Sequence, residues 1–246
     1  MSDPDSRYLL RSRPPAEKLV DISFRNLAIA MASVVAIVLF SILVVVFQGS
    51  LDSMARYGWQ FLVTSDWNPV DDQYGAGAAI YGTLITSLLA LMIAVPLGVG
   101  TAIFITENII PKRIRDVIGL MVELLAAIPS VVLGLWAIFV MEPFIRPGLE
   151  LLYQLFNWFP LFSTPPMGPG TIPAVLILVV MILPIITAIS RDCLNQVPPQ
   201  LRQAAYGVGT TRWGAIINVI LPAAISGIIG GVMLALGRAM GETMAV

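Results

Sequence analysis

The apolar run at residues 27–47, LAIAMASVVAIVLFSILVVVF, constrains this chain more than any other feature. As a helix rising 1.5 Å per residue it extends about 30 Å, the thickness of a bilayer's hydrocarbon core, with no charge along its length. Further long apolar runs follow. The chain has 246 residues, of which 57% are hydrophobic and only 12% charged. A soluble domain carries roughly twice that charged fraction. The class these observations imply is an all-α polytopic membrane protein.

Composition also removes several chemistries. The sequence contains no histidine. Imidazole acid–base catalysis and His-ligated metal sites are therefore excluded. A single cysteine, Cys193, forbids an intrachain disulfide and a cysteine-only metal cluster. The only lysines are Lys18 and Lys112, and neither follows the G-x-x-x-x-G-K-[ST] spacing that cradles nucleotide phosphates. Any ATP hydrolysis linked to this chain must occur on another subunit. No cofactor, metal or nucleic acid is expected.

Taken in order, residues 1–25 read as a polar, mobile tail and residues 27–47 as the first span, too long for a signal peptide. Residues 48–77 form a polar connection with four aspartates and several aromatics, read as a loop with a short packed helix. The second span is 78–106, with Pro96 inside it. The third is 117–141, broken at Ile128-Pro129-Ser130, and Glu123 lies within it. Residues 142–170 read as a loop rich in proline and aromatics. The fourth span is 171–190 and the fifth 214–246. Glu107 is read as capping the end of the second span.

Arginine and lysine distribution gives the orientation. The tail holds Arg7, Arg11, Arg13, Lys18 and Arg25. The second-to-third connection holds Lys112, Arg113 and Arg115, and the fourth-to-fifth holds Arg191, Arg202 and Arg212. Only Arg56 and Arg146 fall on the opposite side. The positive-inside bias thus places the N-terminus and residues 198–222 in the cytoplasm.

That cytoplasmic stretch reads PPQLRQAAYGVGTTRWGAIINVILP. Residues 199–208 predict a short amphipathic helix, with Leu201, Ala204, Ala205 and Val208 on one face. Pro199 suits its first position and Gly209 a left-handed cap after its end. The small alanines permit close docking in a partner's groove. Pro222 then falls at the start of the fifth span, able to bend it.

Two charges lie deep in the last apolar run. Arg238 and Glu242, four residues apart, share a helical face and can pair. A charge at the bilayer centre costs about 2.5–3.5 kcal/mol by insertion scales, so such residues face protein or water. Gly227, Gly231, Ala235 and Ala239 form a stripe of small residues suited to close helix packing. The pair reads either as a structural lock or as the lining of a substrate route. In the second reading the arginine fork meets a phosphate-like oxyanion, and Glu242 balances it when the route is empty.

The stretch Gln203-Ala204-Ala205-x3-Gly209-x9-Val219-x-Leu221-Pro222 resembles the loop Glu-Ala-Ala-x3-Gly-x9-Ile-x-Leu-Pro of ABC-importer permeases, departing only at Gln203 and Val219. The segments beginning at Tyr81, Ile93 and Ala127, and the ending Gly-Glu-Thr-Met-Ala-Val, resemble the phosphate-specific members of that family, of the PstC type. The resemblance implies a type I, MetI-like helical bundle and no covalent chemistry on the subunit itself. It also implies a second permease of the PstA type, a dimer of cytoplasmic ATP-binding subunits and an extracytoplasmic phosphate-binding protein. Arg238 and Glu242 match the charged pair associated with phosphate passage. The implied layout is a tail at 1–25, a first span and outer loop at 26–77, and a permease domain at 78–246 that stops before a sixth span. Rival readings keep the fold but change the cargo to sulfate or molybdate, replace ATP with an ion gradient, or assign only signalling.

Overall fold

The computed structural model describes residues 15–107, 109–158, 165, 168 and 170–242, with side chains from Leu19 onward. The tail arginines Arg7, Arg11 and Arg13 and the ending 243–246 lie outside the described residues. Among the described residues, five segments are long and apolar enough to cross a membrane: Leu19–Tyr57, Gly77–Thr106, Ser130–Phe156, Thr171–Gln196 and Arg212–Met240. The chain divides into two compact units, one ending at Ala76 and the other beginning at Gly77.

The first unit is dominated by α1 (Pro15–Tyr57). The helix begins well before the apolar run at 27–47, within the stretch read as a mobile tail. Nothing between Ala16 and Tyr57 breaks it, since the run contains no further proline and only Gly49. From Leu19 to Tyr57 no residue is buried. A helix apolar on every side suits a lipid environment. Gly58, at φ 56°, ends it.

A tightly tied segment follows α1. It comprises α2 (Gln60–Val63) and an antiparallel hairpin of β1 (Trp67–Asn68) and β2 (Gln73–Tyr74). The short helix matches expectation; the hairpin does not. Asn68 accepts from the Val70 amide at 3.1 Å and donates to Asp71 at 2.6 Å, building the turn from side-chain contacts. Tyr74 stacks edge-on against Trp67 and Tyr57 at 5.1 and 5.9 Å. Arg56 pairs with Asp72.

The second unit contains α3 (Gly77–Thr106), α4 (Lys112–Ala126), α5 (Ser130–Trp136), α6 (Glu142–Phe156), α7 (Thr171–Gln196), α8 (Pro199–Gly207), α9 (Arg212–Ala215) and α10 (Leu221–Met240). π-helical turns at Ala137–Met141 and Ile216–Ile220 make α5–α6 and α9–α10 continuous. Each π turn ends two residues before a proline, Pro143 and Pro222. A proline cannot donate to the carbonyl four residues back, and a wider turn absorbs that mismatch without ending the helix.

This corrects the expected third span. Residues 117–141 do not form one crossing. α4 is a separate helix outside the membrane-length segments, and the crossing is Ser130–Phe156, interrupted by nothing sharper than a π turn. Pro143 and Pro147 sit inside a helix in what had read as a loop. Glu123 therefore falls outside the membrane-length segments. It lies on α4, 66% exposed, 3.4 Å from Arg191.

The core is organised around α7. Its residues Val175, Leu178, Ile182 and Ile186 pack with Ala90 and Ala94 of α3 and with Ala235 and Ala239 of α10. Leu194 packs with Ala102, Ile216, Ile220 and Ile228, and Ile177 and Met181 with Leu133 and Met141. Contacts ascend together along α3 and α7, making those helices parallel; α10 runs antiparallel to both. Close approach requires small residues. A methyl group at Gly98 would lie 2.8 Å from Ile186, and one at Gly231 2.8 Å from Ile189. The stripe on α10 accordingly faces α7. The Gly98–Ile186 contact also sets Pro96 and Pro184 at one height in adjacent parallel helices.

Candidate functional site

Two ends of the second unit carry chemistry. The first is a cavity of ≈ 600 Å³ bounded by the beginnings of α3 and α7, the α5–α6 helix and the end of α10. Its polar lining comes from Thr83, Thr86, Thr171, Glu142 and Glu242. Thr83 and Thr86 donate to the carbonyls of Ala79 and Gly82 at 2.9 and 2.8 Å, so their lone pairs remain for the cavity. Most of the remaining wall is apolar side chain.

Arg238 and Glu242 come together as expected, 3.5 Å apart, but their settings differ from expectation. The helix ends at Met240 with Gly241 as its cap, so Glu242 lies past the last turn rather than deep within it. Its side chain is 6% exposed and lines the cavity. The Arg238 side chain is 50% exposed and stands beside the cavity rather than in its wall. Glu142, read from sequence as part of a loop, is the carboxylate that sequence reasoning missed. The signal available was its position just before Pro143, a first-turn pattern for a helix.

The second place is α8, at the opposite end of α3 and α7. Pro199 stands in its first turn, where a missing amide costs nothing. Its end is a full Schellman arrangement: the Gly209 amide donates to Tyr206 O at 3.0 Å, and the Thr210 amide to Ala205 O at 3.3 Å. Gly209 has φ +83°, the left-handed conformation its sequence position implied. Thr211 then caps α9 by accepting from the Gly214 amide at 3.1 Å.

The face expected to be uniform is divided. Leu201, Ala204 and Val208 are exposed, whereas Ala205 is buried within the chain at 5% exposure. Geometry explains the split: Leu201, Ala204 and Val208 bracket the outward side, and α8 packs against the Ile216–Ile220 turn on the other. Gln203 is exposed. Val219 and Leu221 are half-buried in and beside that π turn, and Pro222 opens α10.

Glu107 does more than cap α3. Its side chain, 5% exposed, forms an ion pair with Arg202 of α8, which is 22% exposed. Arg202 also donates to Leu194 O at 2.7 Å. Sequence reasoning counted Arg202 only as a charge. Its spacing offered no hint, because Glu107 is 95 positions away.

Comparison with known proteins fits this arrangement. The family described as "Binding-protein-dependent transport system inner membrane component" matches residues 94–246, which contain α8, α10 and most of the core. A "Phosphate transport system permease protein PstC" of Mesorhizobium japonicum is 46% identical, over 93% of this chain and 71% of that protein. One of the same name from Pasteurella multocida is 41% identical, over 97% and 78%. A solved structure, "Inward facing conformations of the MetNI methionine ABC transporter: CY5 SeMet soak crystal form", is similar at 20% identity and a TM-score of 0.49, over 68% of each chain. The match over residues 94–246 and the identity to both relatives establish that the chain belongs to the binding-protein-dependent transport system inner membrane components, among the PstC permeases.

Proposed function

We propose that this chain is a membrane-spanning subunit of an ATP-driven importer that carries inorganic phosphate across the cytoplasmic membrane. The cargo follows from the names of the two relatives. The observation that carries the coupling mechanism is α8, a capped helix with Leu201, Ala204 and Val208 on its outer side. Such a face fits a groove on a separate ATP-hydrolysing subunit, present as a dimer. The subunit itself makes and breaks no covalent bond.

The arginine and lysine distribution sets the N-terminus and α8 on the cytoplasmic side. Residues 78–246 act as the permease domain beside a second permease of the PstA type. Phosphate released by an extracytoplasmic binding protein enters the cavity end. There Arg238, whose planar fork has more donors than Glu242 occupies, takes the anion, and Glu242 holds the fork in place between cycles. Closure of the ATPase pair presses on α8, which is joined directly to α7 through Val197 and Pro198. The loop residues Gln203, Ala204, Gly209, Val219, Leu221 and Pro222 shape that contact, and Ala205 seats the helix on its own chain.

A cysteine at Ala204 in the complete transporter tests this directly. It should crosslink to the ATP-hydrolysing subunit and resist labelling by a membrane-impermeant thiol reagent applied outside intact cells. Labelling from outside, or capture of no nucleotide-binding subunit, would overturn the reading.

A further inference from the structure

We infer that Arg202 is the positioning residue through which movement of α8 reaches α3, an inference that rests on α8 being the docking element. α8 is too short to be stable alone, since isolated helices below about 12–15 residues are marginal in water. Within the chain it buries only Ala205. The covalent path runs from α8 into α7. No such path joins α8 to α3, whose last residue, Thr106, lies 93 positions before Pro199, with Glu107 just past it.

The Arg202 guanidinium closes that gap. One nitrogen meets the Glu107 carboxylate and the other donates to Leu194 O at 2.7 Å, so a single side chain clamps α8 to the ends of both α3 and α7. Among the described residues, these are the polar links from α8 to those two helices. Glu107 is almost fully enclosed and cannot trade Arg202 for water without moving the end of α3. Only arginine has a rigid fork that serves two acceptors at once; lysine is a point charge on a flexible stem. α8 and the two helix ends therefore move as one corner. The far end of α3 supplies Ala79, Gly82, Thr83 and Thr86 to the cavity wall, so this corner links the docking helix to the cavity along α3 as well as α7.

The test uses the complete transporter in proteoliposomes, with its partner permease, ATP-hydrolysing subunits and binding protein, and reads phosphate imported per ATP hydrolysed. Arg202→Gln should keep the ATP-hydrolysing subunits bound and their basal hydrolysis intact while the ratio falls about tenfold, within the usual range of coupling between sites. A side chain that served only to keep the chain folded would lower the amount of transporter and leave this ratio alone. A ratio equal to the parent's overturns the inference. If Arg202→Gln does not assemble, Arg202→Lys decides in its place: a lowered ratio supports the clamp and an unchanged one removes it. A parent transporter that hydrolyses ATP without importing phosphate overturns the functional reading, and the inference with it.

Discussion

The second unit carries an arginine–glutamate pair at each end, and the two are built on different principles. Arg202 and Glu107 stand 95 positions apart, and their side chains are 22% and 5% exposed. Arg238 and Glu242 stand four apart, with the arginine 50% exposed and the glutamate 6%. A pair closed between distant elements is fixed by everything that packs around it, and neither partner can leave alone. A pair at a helix end is held by one turn of backbone, and its exposed arginine can change partner without disturbing the fold. The first geometry suits transmission of force, the second suits handling a passing anion.

Removing the glutamates sharpens this contrast most. Glu107→Ala strands Arg202 in a largely enclosed place, at an expected cost of about 3 kcal/mol. Glu242→Ala leaves the half-exposed Arg238 with access to solvent and should cost less than Glu107→Ala. Thermal unfolding of the purified transporter measures both. Equal losses would erase the distinction between the two ends.

Function should separate them in the opposite direction. Arg238→Gln removes the charge and the fork while keeping a neutral amide donor group. Phosphate uptake should fall about 10- to 100-fold, the worth of a hydrogen bond to a charged group. The unfolding midpoint should stay near the parent's. A stability loss that matches the uptake loss would make this pair a lock rather than a contact for cargo.

How much of this the sequence displays depends on the range of the interaction. Residues 78–106 and 171–190 read correctly as spans because apolar length is a local property; the helices found are Gly77–Thr106 and Thr171–Gln196. The α8 helix and its Gly209 cap were also legible, since propensity and turn chemistry act over a few residues. The third crossing was misread because Pro129 marks a true break, whereas Pro143 is absorbed by a π turn that no local pattern announces. The Arg202–Glu107 clamp was invisible for a plainer reason: only the parallel packing of α3 on α7 brings the two residues together. The inward turn of Ala205 was hidden likewise, because it depends on where α8 sits against the Ile216–Ile220 turn.

The cap of α8 provides a smaller effect at the same end. Gly209→Ala forces a side chain into the left-handed region, at about 1–2 kcal/mol. Because few contacts hold α8 otherwise, the strain should appear as local opening rather than global unfolding. Amide exchange across residues 201–207 should quicken roughly tenfold while α7 stays protected. Unchanged exchange would mean that the clamp alone holds the helix, which would sharpen the contrast between the two ends further.

The smallest effect concerns Gln203, where the resembling loop of related permeases carries glutamate. Gln203 is exposed, so exchanging it disturbs nothing inside the chain. A carboxylate at this position offers a charge-assisted contact to a basic groove, roughly twice as strong as the amide's neutral one. Exposed pairs contribute at most about 1 kcal/mol, so Gln203→Glu should tighten binding of the ATP-hydrolysing subunit by no more than about fivefold. Raising the salt concentration should remove the gain, because a solvent-facing charge is screened within about 10 Å at 0.1 M. A gain that persists in high salt would mean that residue 203 is enclosed on docking, extending to the partner interface the burial that distinguishes the Arg202 end from the Arg238 end.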